Sequence, residues 1–264
     1  MNRFLIAAVL TLVTSLGLMA QKKVSKGEYE AYVAMHQATD ADSRIKAAEA
    51  FLAKYADSQF KAEAFYMIAI SYEAKGDNVK AMAYADQSVT ADPKFYRSLL
   101  FMAKSIVAKT REFDLDKEEK LTRAEKYAND AIELAMSATK PNPQIPDAQW
   151  DGIKKDFAAE GHLALGMAAT VRKKYDVAIK EYQTSLDMGS APDAGVMVRL
   201  TQAYNLAGKY DDATTMANKV IAMPDVNPTI RSFAQAERAR AAQGKAKAAD
   251  PKPAEPKPAE AKQP

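Results

Sequence analysis

The 264-residue sequence contains no cysteine. Disulfides, thiolate nucleophiles, thiolate-ligated metals and lipid attachment through cysteine are therefore excluded, and a chain of this size must be held by packing alone. Histidine is nearly as scarce. His36 and His162 are the only two, and neither stands in a metal-binding spacing such as His-Glu-x-x-His. The 10 glycines are scattered, so there is no phosphate-cradling glycine loop and no nucleophile elbow. An excess of charge of one sign is lacking too: Lys and Arg total 37 against 34 Asp and Glu, and the signs alternate without forming a basic face. That removes the electrostatic footprint of a nucleic-acid binder. The carboxylate pairs Glu118-Glu119 and Asp211-Asp212 fall in charged, turn-like or helix-start contexts where solvation and the helix dipole account for them. The expectation is a protein that is not an enzyme and uses no cofactor, metal or nucleic acid.

Long apolar runs are also rare, with one exception at the start. After Met1-Asn2-Arg3 an apolar or small run extends from Phe4 to Ala20 and stops before Gln21-Lys22-Lys23. A short positive segment, an apolar core and a small boundary residue predict a secretory signal peptide over 1–20, cleaved after Ala20. Leu18 occupies a position where a small residue is preferred, which leaves an uncleaved N-terminal membrane anchor as the alternative. Either way the expected location is exported, periplasmic or cell-envelope.

The rest of the chain repeats. From Ala62 to Phe95, Phe65, Ile68, Ala69 and Tyr72 recur at three- and four-residue spacing on one helical face. Gly76 then marks a turn, Ala81 and Ala85 a second helix, and Asp92-Pro93 its end. A second copy runs through Met197, Leu200, Thr201, Tyr204, Gly208, Tyr210, Ala213, Ala217, Val220 and Pro224. A third has Leu165-Gly166, Tyr175, Ala178 and Tyr182, with Ala169 in the tyrosine position and Lys173 in the place of the turn glycine. These residues resemble the tetratricopeptide pattern, and Ala169 precedes Tyr204 by 35 residues, close to that family's 34-residue unit. A looser copy pairs Leu99, Met102, Ala103 and Ile106 with Ala124, Ala128 and Ala131. Its second half arrives about nine residues late, because the charged stretch Lys109 to Lys120 either lengthens the helices or bulges as a loop. Ala47 and Phe51 stand 34 residues before Ala81 and Ala85, which places helices at about 26–39 and 42–55. Ala50 to Ser58 (AFLAKYADS), leading into Ala62 to Tyr72, also resembles the helical-repeat periplasmic proteins of the Tol-Pal accessory and outer-membrane-assembly type. The lipobox cysteine of their lipoprotein members is missing here.

The predicted fold is all-α, an α-solenoid of about five such hairpins with a capping helix over Thr229 to Gln243. The Pro-rich stretch 141–150 is expected to divide an N-terminal array (26–140) from a C-terminal one (151–243). Trp150 either plugs that joint or is exposed as an anchor. From Gly244 to Pro264 a Pro/Lys/Ala/Glu composition predicts a disordered tail.

Function is implied through the resemblance. In tetratricopeptide proteins the residue after each signature position of the first helix faces a concave groove that takes a peptide or a partner helix. Carried over, the lining is Glu63, Tyr66, Ile70 and Glu73; Leu100, Lys104 and Val107; Leu163, Met167 and Thr170; Val198, Gln202 and Asn205. Such a mixed apolar groove favours a ligand with hydrophobic anchors, although neighbouring repeats or the terminal helix could bury part of it. His162 falls at an aromatic signature position, so packing is its expected role. The reading is a non-catalytic envelope scaffold for a protein or peptide partner; a self-assembling structural protein that uses its stack ends or tail is the alternative.

Overall fold

The computed structural model describes residues 24–249. The predicted signal peptide and the 250–264 part of the predicted tail lie outside the described residues. Every regular element among the described residues is an α-helix: α1 (Lys26–Gln37), α2 (Ala41–Lys54), α3 (Lys61–Ala74), α4 (Asn78–Ala91), α5 (Tyr96–Lys109), α6 (Lys117–Ser137), α7 (Asp147–Val171), α8 (Tyr175–Met188), α9 (Ala194–Leu206), α10 (Tyr210–Ala222) and α11 (Pro228–Ala249). No helix among them is long and apolar enough to cross a membrane.

The helices form compact units at 24–193 and 194–249. In the first, α1–α2, α3–α4, α5–α6 and α7–α8 are antiparallel hairpins, and α5 also packs on α7. In the second, α9, α10 and α11 pack on one another. The expected division at 141–150 is not where the chain divides. α6 packs along α7, and Trp150, only 8% exposed, donates from its indole Nε1 to the Ala138 carbonyl at 3.1 Å. The proline-rich connection is thus folded over and fastened, with Trp150 buried in it and not exposed as an anchor. The break falls instead after Asp193. The predicted tail boundary at 244 also moves, because α11 continues through Gly244 to Ala249. An added Cβ on Gly244 would stand 2.3 Å from the Tyr210 ring, so this glycine admits the ring of α10 and does not end the helix.

Small residues at repeat spacing are what let the hairpins close. Ala81, Ala85, Ala124, Ala128, Ala178, Ala213 and Ala217 are all 1% exposed or less. Larger side chains fill the space between helix pairs: Met35, Ile45, Phe51 and Ile68 make one core cluster, Leu99 and Leu100 with Ala131 another. Complete burial of one such side chain contributes about 1.5–3 kcal/mol. Two serines tie second helices to first helices at the same register. Ser88 donates to Ala62 O at 2.5 Å and Ser185 to Ala159 O at 2.8 Å, each giving a buried hydroxyl its partner. Gly166 is a packing residue: a Cβ there would meet the Tyr182 ring at 2.6 Å.

Three turns share one backbone design. After α3, α7 and α9 the residues Gly76, Lys173 and Gly208 have φ of 77°, 61° and 74°. In each, the next N–H closes back on a carbonyl five residues earlier: Asp77 on Tyr72, Lys174 on Ala169 and Lys209 on Tyr204. This is a Schellman closure, which calls for left-handed backbone and so favours glycine. Lys173 occupies it with a side chain, at a cost of about 1–2 kcal/mol. The long connection within the third hairpin resolves as a loop and a longer helix together. Seven residues, 110–116, separate α5 from α6, and α6 extends to 21 residues.

Candidate functional site

Helices α1, α3, α5 and α7 bring one face of the first unit together. At its centre Glu63 is 16% exposed on its side chain. It accepts a hydrogen bond from the Tyr32 hydroxyl at 3.1 Å and another from Arg97 Nη1 at 3.3 Å. His36 Nε2 approaches the same carboxylate at 3.3 Å without the alignment of a hydrogen bond. Burial alone would raise the Glu63 pKa. The cation of Arg97, His36 and the Tyr32 hydroxyl outweigh it and hold the carboxyl below its ordinary value. Burial next to that anion pushes the Tyr32 phenol up. Arg97 lies over the Tyr66 ring, 4.7 Å from its centroid, and Tyr66 meets Phe95 edge-on at 5.7 Å. Two turns along α5, Lys104 reaches Glu160 of α7 at 2.5 Å. Burial would lower the lysine, but Glu160 more than offsets it, so its pKa is raised.

Between these ion pairs is a small cleft of about 90 Å³, lined by Tyr66, Ile70, Glu73, Arg97, Leu100, Phe101, Lys104, Phe157 and Glu160. Its floor is apolar and its rim carries both signs of charge. Drug-sized ligand sites begin at roughly 300 Å³, so a space of this size holds a single side chain of a larger partner.

Five of the residues expected to line a groove meet here: Tyr66, Ile70, Glu73, Leu100 and Lys104. Glu63 is beside them in the ion cluster. The others part company. Val107 is only 3% exposed and Met167 8%, so both are core residues; Leu100, at 2%, is one too and reaches the cleft only from its floor. Thr170 faces α8: its hydroxyl lies 2.8 Å from the Gly166 carbonyl and 3.0 Å from the Tyr182 hydroxyl. Leu163 is half-buried on α7 and lines no part of this cleft. In the second unit Val198 is half-buried, and Gln202 and Asn205 border a separate cleft with Tyr210, Glu237 and Arg240. There Asn205 Nδ2 is already taken by the Glu237 carbonyl at 2.8 Å and its carboxylate at 2.9 Å. Glu237, 7% exposed, is balanced by Arg240 at 2.6 Å. His162 Nδ1 pairs with Glu181 of α8 at 2.7 Å, across the helix contact where packing was expected of it.

Arg97, Phe101, Phe157 and Glu160 were missed. A signal for two of them was present. Glu63 stands three residues before Tyr66, and the same offset from Leu100 and Leu163 gives Arg97 and Glu160. The stripe begins one helical turn earlier on α5 and α7 than was read.

No protein-family model matches the chain, and no curated protein matches it either. Among solved structures, a thermophilic tetratricopeptide-repeat protein of Thermus thermophilus superposes with a TM-score of 0.54 at 18% identity, over 75% of this chain and 90% of that one. An assembly chaperone of RpL4 gives 0.46 at 12% identity, covering 86% and 100%. A tetratricopeptide repeat protein from Parabacteroides merdae gives 0.39 at 15%, covering 83% and 90%. The Thermus thermophilus likeness shows a tetratricopeptide-type fold.

Proposed function

We propose that this chain is a non-catalytic scaffold that holds a protein segment on the first-helix face of its 24–193 unit. The observation that carries the reading is the cleft at Tyr66, Ile70, Leu100 and Phe157, an apolar floor rimmed by the Arg97, Lys104 and Glu160 charges, with Glu63 beside it holding Arg97. These charges are already paired and oriented in the free chain, so a partner meets a surface with little ordering left to do. One apolar side chain of the partner fills the floor, and its flanking backbone meets the polar rim. Fold alone does not assign a function, and the reading rests on this site.

The place of action we propose is the cell envelope, reached through the apolar leader Phe4 to Ala20 behind Arg3. Sequencing the N-terminus of the protein recovered from the envelope fraction checks it. A mature chain starting at Gln21 is the expected result, and recovery only from the cytosol sinks the assignment.

For the cleft, Tyr66→Glu combined with Ile70→Glu places two carboxylates on a half-buried apolar floor. Proteins crosslinked to the chain in native cells should be lost in this variant while its helical circular dichroism is kept. An unchanged set of crosslinked proteins removes the cleft from the function.

A further inference from the structure

The connection 110–116 carries the two most exposed large apolar side chains of the described residues: Phe113 is 88% exposed and Leu115 107%. Neither contributes burial to the fold, yet the segment that presents them is tied down throughout. Thr110 is buried at its entry and donates to the Ile106 carbonyl at 2.8 Å. Asp114, between the two apolar residues, turns back to accept from the Arg111 N–H at 3.1 Å and from Lys120 Nζ at 3.2 Å. Lys120 also reaches Asp116 at 2.8 Å. From the α7–α8 turn, Arg172 pairs with Glu118 at 2.7 Å and with Glu125, and Lys173 pairs with Glu112 at 2.5 Å. Lys173 is the residue held in left-handed backbone where the two equivalent turns have glycine. An exposed ion pair gains less than that conformation costs. Stability therefore does not account for a lysine here, but holding Glu112, the neighbour of Phe113, does.

We propose that residues 110–116 form a docking prong whose Phe113 and Leu115 enter a preformed apolar slot, about two side chains wide, on a different protein. Charge and area decide against two other occupants. Residues 109–120 carry four basic and five acidic side chains, so nothing draws the prong to an anionic membrane. A prong-to-prong contact between copies sets two protruding tips against each other with no recess to enclose either, and falls well short of the roughly 800 Å² per partner of a stable interface. Two apolar anchors on a segment whose flanking residues are already tied suit a small, reversible contact, because little backbone ordering is left for binding. This surface is distinct from the cleft proposed above.

The test begins with a photo-crosslinking residue at position 113 of the full chain in cells, with position 79 as control, since Val79 is also 80% exposed. The expected result is an adduct with one protein at 113 that is absent at 79. That protein, purified, is then titrated against the wild-type chain and its variants. F113S/L115S should weaken binding by about tenfold or more without lowering Tm. Lys173→Gly should weaken it several-fold while raising Tm, and Val79→Ser should leave it unchanged. The proposal is overturned by no adduct above the control, by an adduct only with a second copy of this chain, or by binding to phosphatidylglycerol vesicles that F113S/L115S abolishes. It is equally overturned by an F113S/L115S affinity within about twofold of wild type.

Discussion

In the first unit five of the residues just past the repeat signatures border an open cleft, whereas in the second the equivalent Asn205 is engaged by α11. Both arise from one repeat register. At Tyr66 and Lys104 the facing residues on α5 and α7 are Arg97, Phe157 and Glu160, which meet one another around a gap. At Asn205 the facing residue is Glu237, and two hydrogen bonds at 2.8 and 2.9 Å already engage its amide at the edge of a separate cleft. The lesson is that a repeat position dictates which way a side chain points, and the next helix decides what it meets there.

The sharpest way to break this contrast is Glu63→Ala. Removing the carboxylate leaves Arg97 partly buried and without its anion, so we expect a loss of about 2–4 kcal/mol in chemical denaturation. Amide exchange should quicken in α1, α3 and α5 and stay unchanged in α9 to α11. The same cluster predicts an acid dependence. Glu63 titrates below its ordinary value of 4.5 in the folded chain, so its contribution is complete above that pH and disappears as the pH falls through the native pKa. Denaturation of Glu63→Gln and wild type at several pH values from 6 down to 3 checks this: the wild type should lose more stability with acid, and parallel curves would refute it.

Next in size is Gly166→Ala. Its new Cβ meets the Tyr182 ring at 2.6 Å, and Tyr182, 1% exposed and beside the Thr170 hydroxyl, has no room to withdraw. A cost of about 1–3 kcal/mol is expected, read as a lower denaturation midpoint. Asn205→Ala removes both bonds to Glu237 and should cost about 1–2 kcal/mol, with faster exchange confined to α9 to α11. A change that spread into α3 or α5 would erase the distinction between the units. The smallest effect has the opposite sign: Lys173→Gly relieves the left-handed backbone and should gain about 1 kcal/mol in stability.

Sequence and structure agree best where a local conformational demand and a repeat spacing coincide. Lys173 could be placed in a turn glycine's position because Ala169 and Tyr204 were in register, and its φ of 61° bears this out. The alanines at hairpin contacts were legible for a similar reason, since close approach admits little else. Gly244 was misplaced because composition after it resembles a tail, whereas its lack of a side chain answers to a ring 34 residues away. Leu100, Val107 and Met167 share a helical stripe with exposed residues, and only the packing of α5 against α7 separates buried from open. The prolines at 141–146 do break helix, but a break in helix is not a break between units when Trp150 fastens the two sides.

The substantial helix contacts among the described residues join sequence neighbours or next neighbours only. Such a chain has low contact order: a growing array can be extended hairpin by hairpin, without waiting for a distant segment and without closing long loops. With no cysteine to oxidise, assembly also needs no redox partner. A polypeptide delivered unfolded through a narrow channel could rebuild itself in the order in which it emerged.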